Sequence, residues 1–238
     1  MTKNYITAKS EISNRGFTTI PDVFGEEEIE NIVHAIDAVD TSGNTFRKSN
    51  DLFAIRQFLK VLPELKNLIF TENLRIILEE IMGPGYFVTK SIYFDKPPQS
   101  NWFVPYHQDL TISVDKKVAL EGYEKWTLKQ DQLAVQPPID ILEDCYTIRI
   151  HLDDTDEHNG ALKVIPGSHL NKISRPENID WQTVEEQICS VSKGGLMVMK
   201  PLLLHSSNRT TNGKRRRVIH IEFCNKALPE GLEWAENI

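Results

Sequence analysis

Residues 194–223 read GGLMVMKPLLLHSSNRTTNGKRRRVIHIEF, and this stretch decides the fold class. Short runs rich in Val, Ile, Leu and Met are separated by Lys200-Pro201 and by a polar turn ending in Asn212-Gly213. That texture predicts strands at 195–199, 202–207 and 216–223. It extends upstream to residue 86, with further strands expected near 86–95, 103–109, 145–152 and 161–165. Before residue 86 the period changes. EEEIENIVHAIDAV (26–39) places Ile29, Ile32, Val33 and Ile36 on one helical face, and residues 51–70 and 71–82 repeat the pattern. Pro63 kinks or splits the first of these, and Thr71 is placed to cap the second. GFTTIPDVF (16–24) reads as extended. Short strands after a helical third predict a mostly β fold, a sandwich or jelly roll with the N-terminal helices packed on one outer face. With no internal repeat and no low-complexity linker, residues 1–238 read as one domain: a helical part (1–85), a core (86–223) and a tail (224–238).

The bulk composition narrows the function classes. At 238 residues, 40% apolar and 26% charged, the chain can bury a core without staples. A formal charge of −7 disfavours nucleic acid and anionic membranes as partners, because both require a positive surface. The basic cluster Lys214 to Arg217 leads straight into the strand-like VIHIEF and reads as part of it. No apolar run reaches the eighteen or so residues of a membrane span. The first sixteen residues hold no signal-peptide core, and Cys145, Cys189 and Cys224 are widely spaced and odd in number. Reduced, buried cysteines in a cytoplasmic monomer or homodimer are the expectation.

His107-Gln108-Asp109 closes the predicted strand WFVPYHQDL. Alternation along a strand sends His107 and Asp109 to one face, where an imidazole and a carboxylate can reach one ion. His205, delivered by PLLLH, supplies a second imidazole, and two histidines with one carboxylate suit non-haem Fe(II). His151-Leu152-Asp153 has the same spacing and competes for the role, but Asp153 runs into the turn-like TDEHNG, and its distance to His205 is cramped. Strand 216–223 is expected to return beside 202–207 as a hairpin, bringing a guanidinium opposite the ligands. Such a fork can take the far carboxylate of 2-oxoglutarate, with Ser207 adding a hydrogen bond. Arg216 shares a face with Val218 and His220, Arg217 lies on the other face, and Arg215 sits at the turn edge, so the residues alone leave the choice open. His220 and His34 lack ligand spacing and read as structural; His169 reads as a turn residue.

The segments YFDKPPQSNWFVPYHQDLTISV (93–114), IRIHLDDTDEHNGALKVIPGSH (148–169) and the opening stretch run in one order over the last two thirds of the chain. Together they resemble the phytanoyl-CoA dioxygenase family of 2-oxoglutarate oxygenases. The resemblance implies a double-stranded β-helix with iron on His107, Asp109 and His205. It further implies co-substrate contacts from Gln108, Ser207 and, eleven places after His205, Arg216. It also implies hydroxylation of a small molecule by O2 with release of succinate and CO2. Asp109 stands where a halogenating relative would have Gly or Ala. Two departures leave the substrate open. Arg149 stands where the family often has tryptophan, as a second cation for co-substrate or substrate, and the 115–140 insertion, with Tyr123 and Trp126, is expected to act as a lid. Lys96, Arg56 and Arg149 are candidates for an anionic substrate group. The long connection 168–194 carries Trp181 and a short helical stretch, DWQTVEEQI. The rival readings are a non-catalytic jelly-roll binding module, a zinc hydrolase on the same three ligands, and an inactive regulatory relative.

Overall fold

The computed structural model describes residues 5–39, 46–48, 53–98, 102–129 and 132–238. In chain order the elements are α1 (Ile6–Arg15), β1 (Phe17–Ile20), α2 (Glu26–Asp37), β2 (Phe46–Lys48), β3 (Phe53–Arg56), α3 (Phe58–Val61), α4 (Leu65–Ile69), α5 (Glu72–Met82) and β4 (Phe87–Lys96). There follow β5 (Val104–His107), β6 (Ile112–Val114), β7 (Glu124–Lys129), β8 (Gln132–Gln136), α6 (Ile139–Asp144), β9 (Tyr146–His151) and β10 (Leu162–Val164). The chain ends with β11 (Gln187–Cys189), β12 (Leu196–Met199), β13 (His205–Ser207) and β14 (Arg216–Cys224).

The helices form where side chains close their open ends. Glu28 accepts a hydrogen bond from the Gly25 N–H at the start of α2, and Thr71 accepts one from the Leu74 N–H at the start of α5. Their apolar faces, Ile29, Ile32 and Ile36 from α2 with Leu74, Ile77 and Ile81 from α5, are buried in one cluster with Ile148, Ile150, Leu196, Val198, Ile219 and Ile221. Those last six come from alternate positions of β9, β12 and β14, so the helices cover one outer face of the sheet they belong to, as expected from the sequence.

That sheet has seven strands in the order β1-β12-β9-β14-β4-β3-β2, and a second has four in the order β11-β10-β13-β5. The intervening positions of the larger sheet turn toward the smaller one. Register places His220 beside Arg149 and Ile92, Glu222 beside Lys90 and Thr147, and Arg216 beside Lys96. An interior face built this way carries an unusual charge load for a sheet centre. The mostly β sandwich with flanking helices agrees with the jelly-roll expectation.

Several elements depart from the sequence reading. Within 51–70, residues Phe53–Arg56 form strand β3 against β4, and only α3 and α4 are helical, split at Pro63; residues 51 and 52 lie outside those described. A short apolar run cannot be assigned by periodicity, and the free edge of β4 decided it. DWQTVEEQI forms turns and then β11, with no helix across 180–188. β13 and β14 belong to different sheets, so they are not a hairpin. The 115–140 segment supplies β7 and β8, which pair with β6 in a three-stranded sheet; Tyr123 is buried in one cluster with Leu232 and Trp234, and Trp126 packs against that cluster. Residues 224–238 are no loose tail. Glu236 accepts 2.6 Å hydrogen bonds from the Ser91 N–H and hydroxyl, and Ile238 exchanges backbone bonds with Val88.

Candidate active site

β5 and β13 pair so that His107 and His205 stand directly opposite each other, their ring centroids 4.2 Å apart. Directly opposed side chains are the closest neighbours a sheet offers, which is how residues 98 positions apart meet. Asp109 follows just beyond β5, its N–H held by the Pro201 carbonyl at 2.9 Å. Its carboxylate lies 3.9 Å from His107 Nε2 and 3.7 Å from His205 Nε2, and the donor atoms all fall within 4.8 Å of one another.

Both imidazoles are prepared as ligands. His107 Nδ1 lies 2.9 Å from the Pro105 carbonyl and His205 Nδ1 2.9 Å from the Leu203 carbonyl. A carbonyl can only accept, so Nδ1 carries the proton in each ring and Nε2 presents its lone pair. Burial pushes His205 down to about 4, against the pull of Asp109, and so keeps it neutral. Burial alone would raise Asp109, but His205, Lys90, His220 and His107 hold its carboxyl well below the usual range. Two imidazoles whose Nε2 atoms turn toward one carboxylate are a donor set that fits a divalent ion.

Across the sandwich, Arg216 is buried and makes no ion pair among the described residues. It donates to the Gly160 carbonyl and lies 3.5 Å from Ser207 Oγ, while its Nε is buried without a partner. Burial, followed by the nearby Arg149, pushes it down to about 9. Gly160 has a φ of +85°, and a Cβ there would meet the Asn208 carbonyl at 2.9 Å, Lys96 Nζ at 3.0 Å and Ser207 Oγ at 3.2 Å. Only glycine suits that backbone and that approach. Lys96, almost fully buried, donates to the Asn208 carbonyl at 2.7 Å. Two cations and a hydroxyl thus surround one small region, an arrangement that fits a carboxylate.

The cavity has a volume of about 320 Å³, and its lining includes His107, Asp109, His205, Ser207, Arg149 and Arg216. Arg56 and His220 also line it, although His220 has no ligand spacing in the sequence. Gln108 does not. Alternation turns it to the opposite side, where its amide donates to the carbonyls of Lys172 and Leu202 and accepts from the Ser174 N–H. Both amide hydrogens and the amide oxygen bond backbone groups of these loops, so Gln108 is held as a clamp away from the cavity. The competing pair separates as well: Asp153 is the ion-pair partner of Arg217 at 2.7 Å, and His151 bonds Thr155. Arg215 pairs with Asp95 at 2.6 Å. Of the three arginines in the basic cluster, two are held in partly buried ion pairs and one stands in the interior.

A family model described as phytanoyl-CoA dioxygenase matches residues 12–218. A probable alpha-ketoglutarate-dependent hypophosphite dioxygenase of Stutzerimonas stutzeri is 24% identical over 71% of this chain, a stretch that spans 55% of that relative. EvdO2 from Micromonospora carbonacea var. aurantiaca, solved with 2-oxoglutarate, superposes with a TM-score of 0.67 at 18% identity, covering 98% of this chain and 94% of its own. EctD from S. alaskensis, solved with bound Fe, gives 0.69 at 16% identity over 92% and 76%.

Proposed function

The chain belongs to the phytanoyl-CoA dioxygenase family, and on that premise we propose that it is an Fe(II)- and 2-oxoglutarate-dependent oxygenase that hydroxylates a small molecule with release of succinate and CO2. The observation that carries the reading is the opposed pair His107 and His205 with Nδ1 of each tied to a carbonyl, set beside Asp109 and across from a buried guanidinium that has no anion among the described residues. When bound, ferrous iron and 2-oxoglutarate supply the oxidising power by coupling O2 reduction to decarboxylation.

The chain's own residues supply position. His107, Asp109 and His205 hold the metal through Nε2, a carboxylate oxygen and Nε2. The Pro105 and Leu203 carbonyls keep both rings in the ligating tautomer. Arg216 takes the far carboxylate of 2-oxoglutarate as a fork, with Ser207 beside it and Lys96 behind Gly160. Phe94, Trp102 and Leu162 form an apolar part of the wall that limits water near the reacting centre. A zinc hydrolase could use the same three ligands but leaves Arg216 and Ser207 without a task. The integration of residues 224–238 with β4 supports one domain, and the three buried free cysteines support a cytoplasmic setting. No helix among the described residues is long and apolar enough to cross a membrane.

The test is anaerobic reconstitution. Wild type with Fe(II) and 2-oxoglutarate should give a visible metal-to-ligand charge-transfer band, and in air a screen of small molecules should find one that raises succinate release. A correctly folded wild type that binds iron yet shows no band contradicts the assignment.

A further inference from the structure

We propose that Arg149 is the specificity-determining residue of this site and that it binds the anionic group, a carboxylate or phosphonate-type oxyanion, of a small substrate. The proposal deepens the oxygenase reading and rests on it.

Arg149 sits on β9, an inner strand of the seven-stranded sheet, 7% exposed, on the face that lines the cavity with His107, Asp109 and His205. Its NH1 lies 3.3 Å from His220 Nδ1, His220 Nε2 lies 3.0 Å from Glu222 Oε1, and Lys90 Nζ lies 2.6 Å from the same carboxylate oxygen. A guanidinium only donates, so Nδ1 of His220 accepts and its Nε2–H donates to Glu222. Both ring nitrogens are then occupied. This argues against a second metal on Asp109, His220 and Glu222, although their donor atoms lie within 4.8 Å of one another. The row Lys90–Glu222–His220 instead aims Arg149.

Asp109 acts on Arg149 through space, but no carboxylate among the described residues closes on its guanidinium. Its Nε is buried without a partner. An interior cation is retained at such a cost where an anion is to be bound. That anion need not be the co-substrate. Arg216 and Ser207 already provide for a far carboxylate, and the backbone of Arg216 lies four residues along β14 from that of His220, the register partner of Arg149, about 13 Å at strand rise, with both guanidiniums turned into one cavity. The cavity volume of about 320 Å³ is at the small end for ligand sites, so after a five-carbon diacid is accommodated only a compact substrate fits. Ala54, Phe94, Trp102 and Val104 offer an apolar wall for its carbon part.

The test uses the full chain loaded anaerobically with Fe(II) and 2-oxoglutarate, with methylphosphonate and acetate as probes and acetamide as the neutral control. In wild type the two anions should shift the charge-transfer band saturably and acetamide should not. In Arg149→Gln the anion dissociation constants should rise at least about tenfold, the loss of a charge-assisted fork, while 2-oxoglutarate affinity stays within about threefold. Two results overturn the proposal: an anion response in wild type no different from acetamide, or an Arg149→Gln variant whose loss falls on 2-oxoglutarate. The wild-type comparison stands even where the variant fails to fold. Absence of any band in wild type is separate, since it sinks the oxygenase reading itself.

Discussion

Replacing Arg216 by methionine separates a binding role from a structural one, because the two predict opposite signs. Arg216 is fully interior, has no carboxylate partner among the described residues, and is depressed to about 9 by burial first and Arg149 second. The protein without ligands therefore holds this charge at a cost. Methionine keeps the unbranched stem, and the Gly160 carbonyl keeps its bond from Ser207 Oγ at 3.0 Å. Arg216→Met should leave the melting temperature of the metal-free protein unchanged or higher, by about 2–4 °C for each kcal/mol recovered. Binding should move the other way. A guanidinium fork on a carboxylate contributes two charge-assisted hydrogen bonds of about 1.5–3 kcal/mol each. Losing both weakens 2-oxoglutarate by roughly 10²–10⁴-fold. Titration of the charge-transfer band reads the affinity, and thermal unfolding followed by circular dichroism reads the stability. A variant that melts several degrees lower yet binds 2-oxoglutarate as wild type does would refute the argument and make Arg216 a brace.

Further outcomes follow from the same geometry. Asp109→Ala should fold but lose iron by more than the roughly 10–100-fold typical of outer partners, read by metal analysis after desalting. Gly160→Ala, forced into a left-handed conformation with its Cβ 2.9 Å from the Asn208 carbonyl, should cost about 1–3 kcal/mol and raise the KM for 2-oxoglutarate while iron content holds. Gln108→Leu removes three hydrogen bonds to buried or half-buried backbone and should destabilise by about 2–4 kcal/mol, with earlier proteolysis within 168–187. For pH, burial first, then Arg149 and Arg216, hold His151 well below its ordinary value. The unfolded chain therefore takes up a proton below pH 6.5 that the folded one refuses, and stability falls as pH drops through that point by about 1.4 kcal/mol per unit per group. His151→Gln should flatten that slope by one proton in urea titrations from pH 7 to pH 5.

The meeting of His107, Asp109 and His205 was legible because their residue types are scarce and their strands strongly patterned: His107 and Asp109 at a spacing of two, His205 at the end of an apolar run. Arg216 was one of three choices by residue pattern alone, and only the pairing of its neighbours with Asp95 and Asp153 leaves it alone inside. Arg149 stood out, but the row behind it, Lys90, Glu222 and His220, did not, because each looks ordinary in its own strand. Its signal was present nonetheless: Arg216, His220 and Glu222 alternate with Ile219 and Ile221, and Arg149 and His151 alternate with Ile148 and Ile150. Strands polar on one face and apolar on the other are usually half solvated. Here both faces are covered, a fact of tertiary assembly that no single strand records. The place of Gln108 follows a related rule, since alternation between two residues that share a face obliges the one between them to turn away.

That obligation couples two parts of the molecule that change at different rates in protein families. Loops that admit or reject substrates diverge quickly, whereas ligands to a metal seldom do. Gln108 stands between two such ligands and grips the 172–174 loop at one carbonyl and one N–H. A transplanted loop that offers those two groups at the same separation can alter what enters without disturbing the ion. One that does not will loosen His107 and Asp109 from behind, whatever its own side chains recognise.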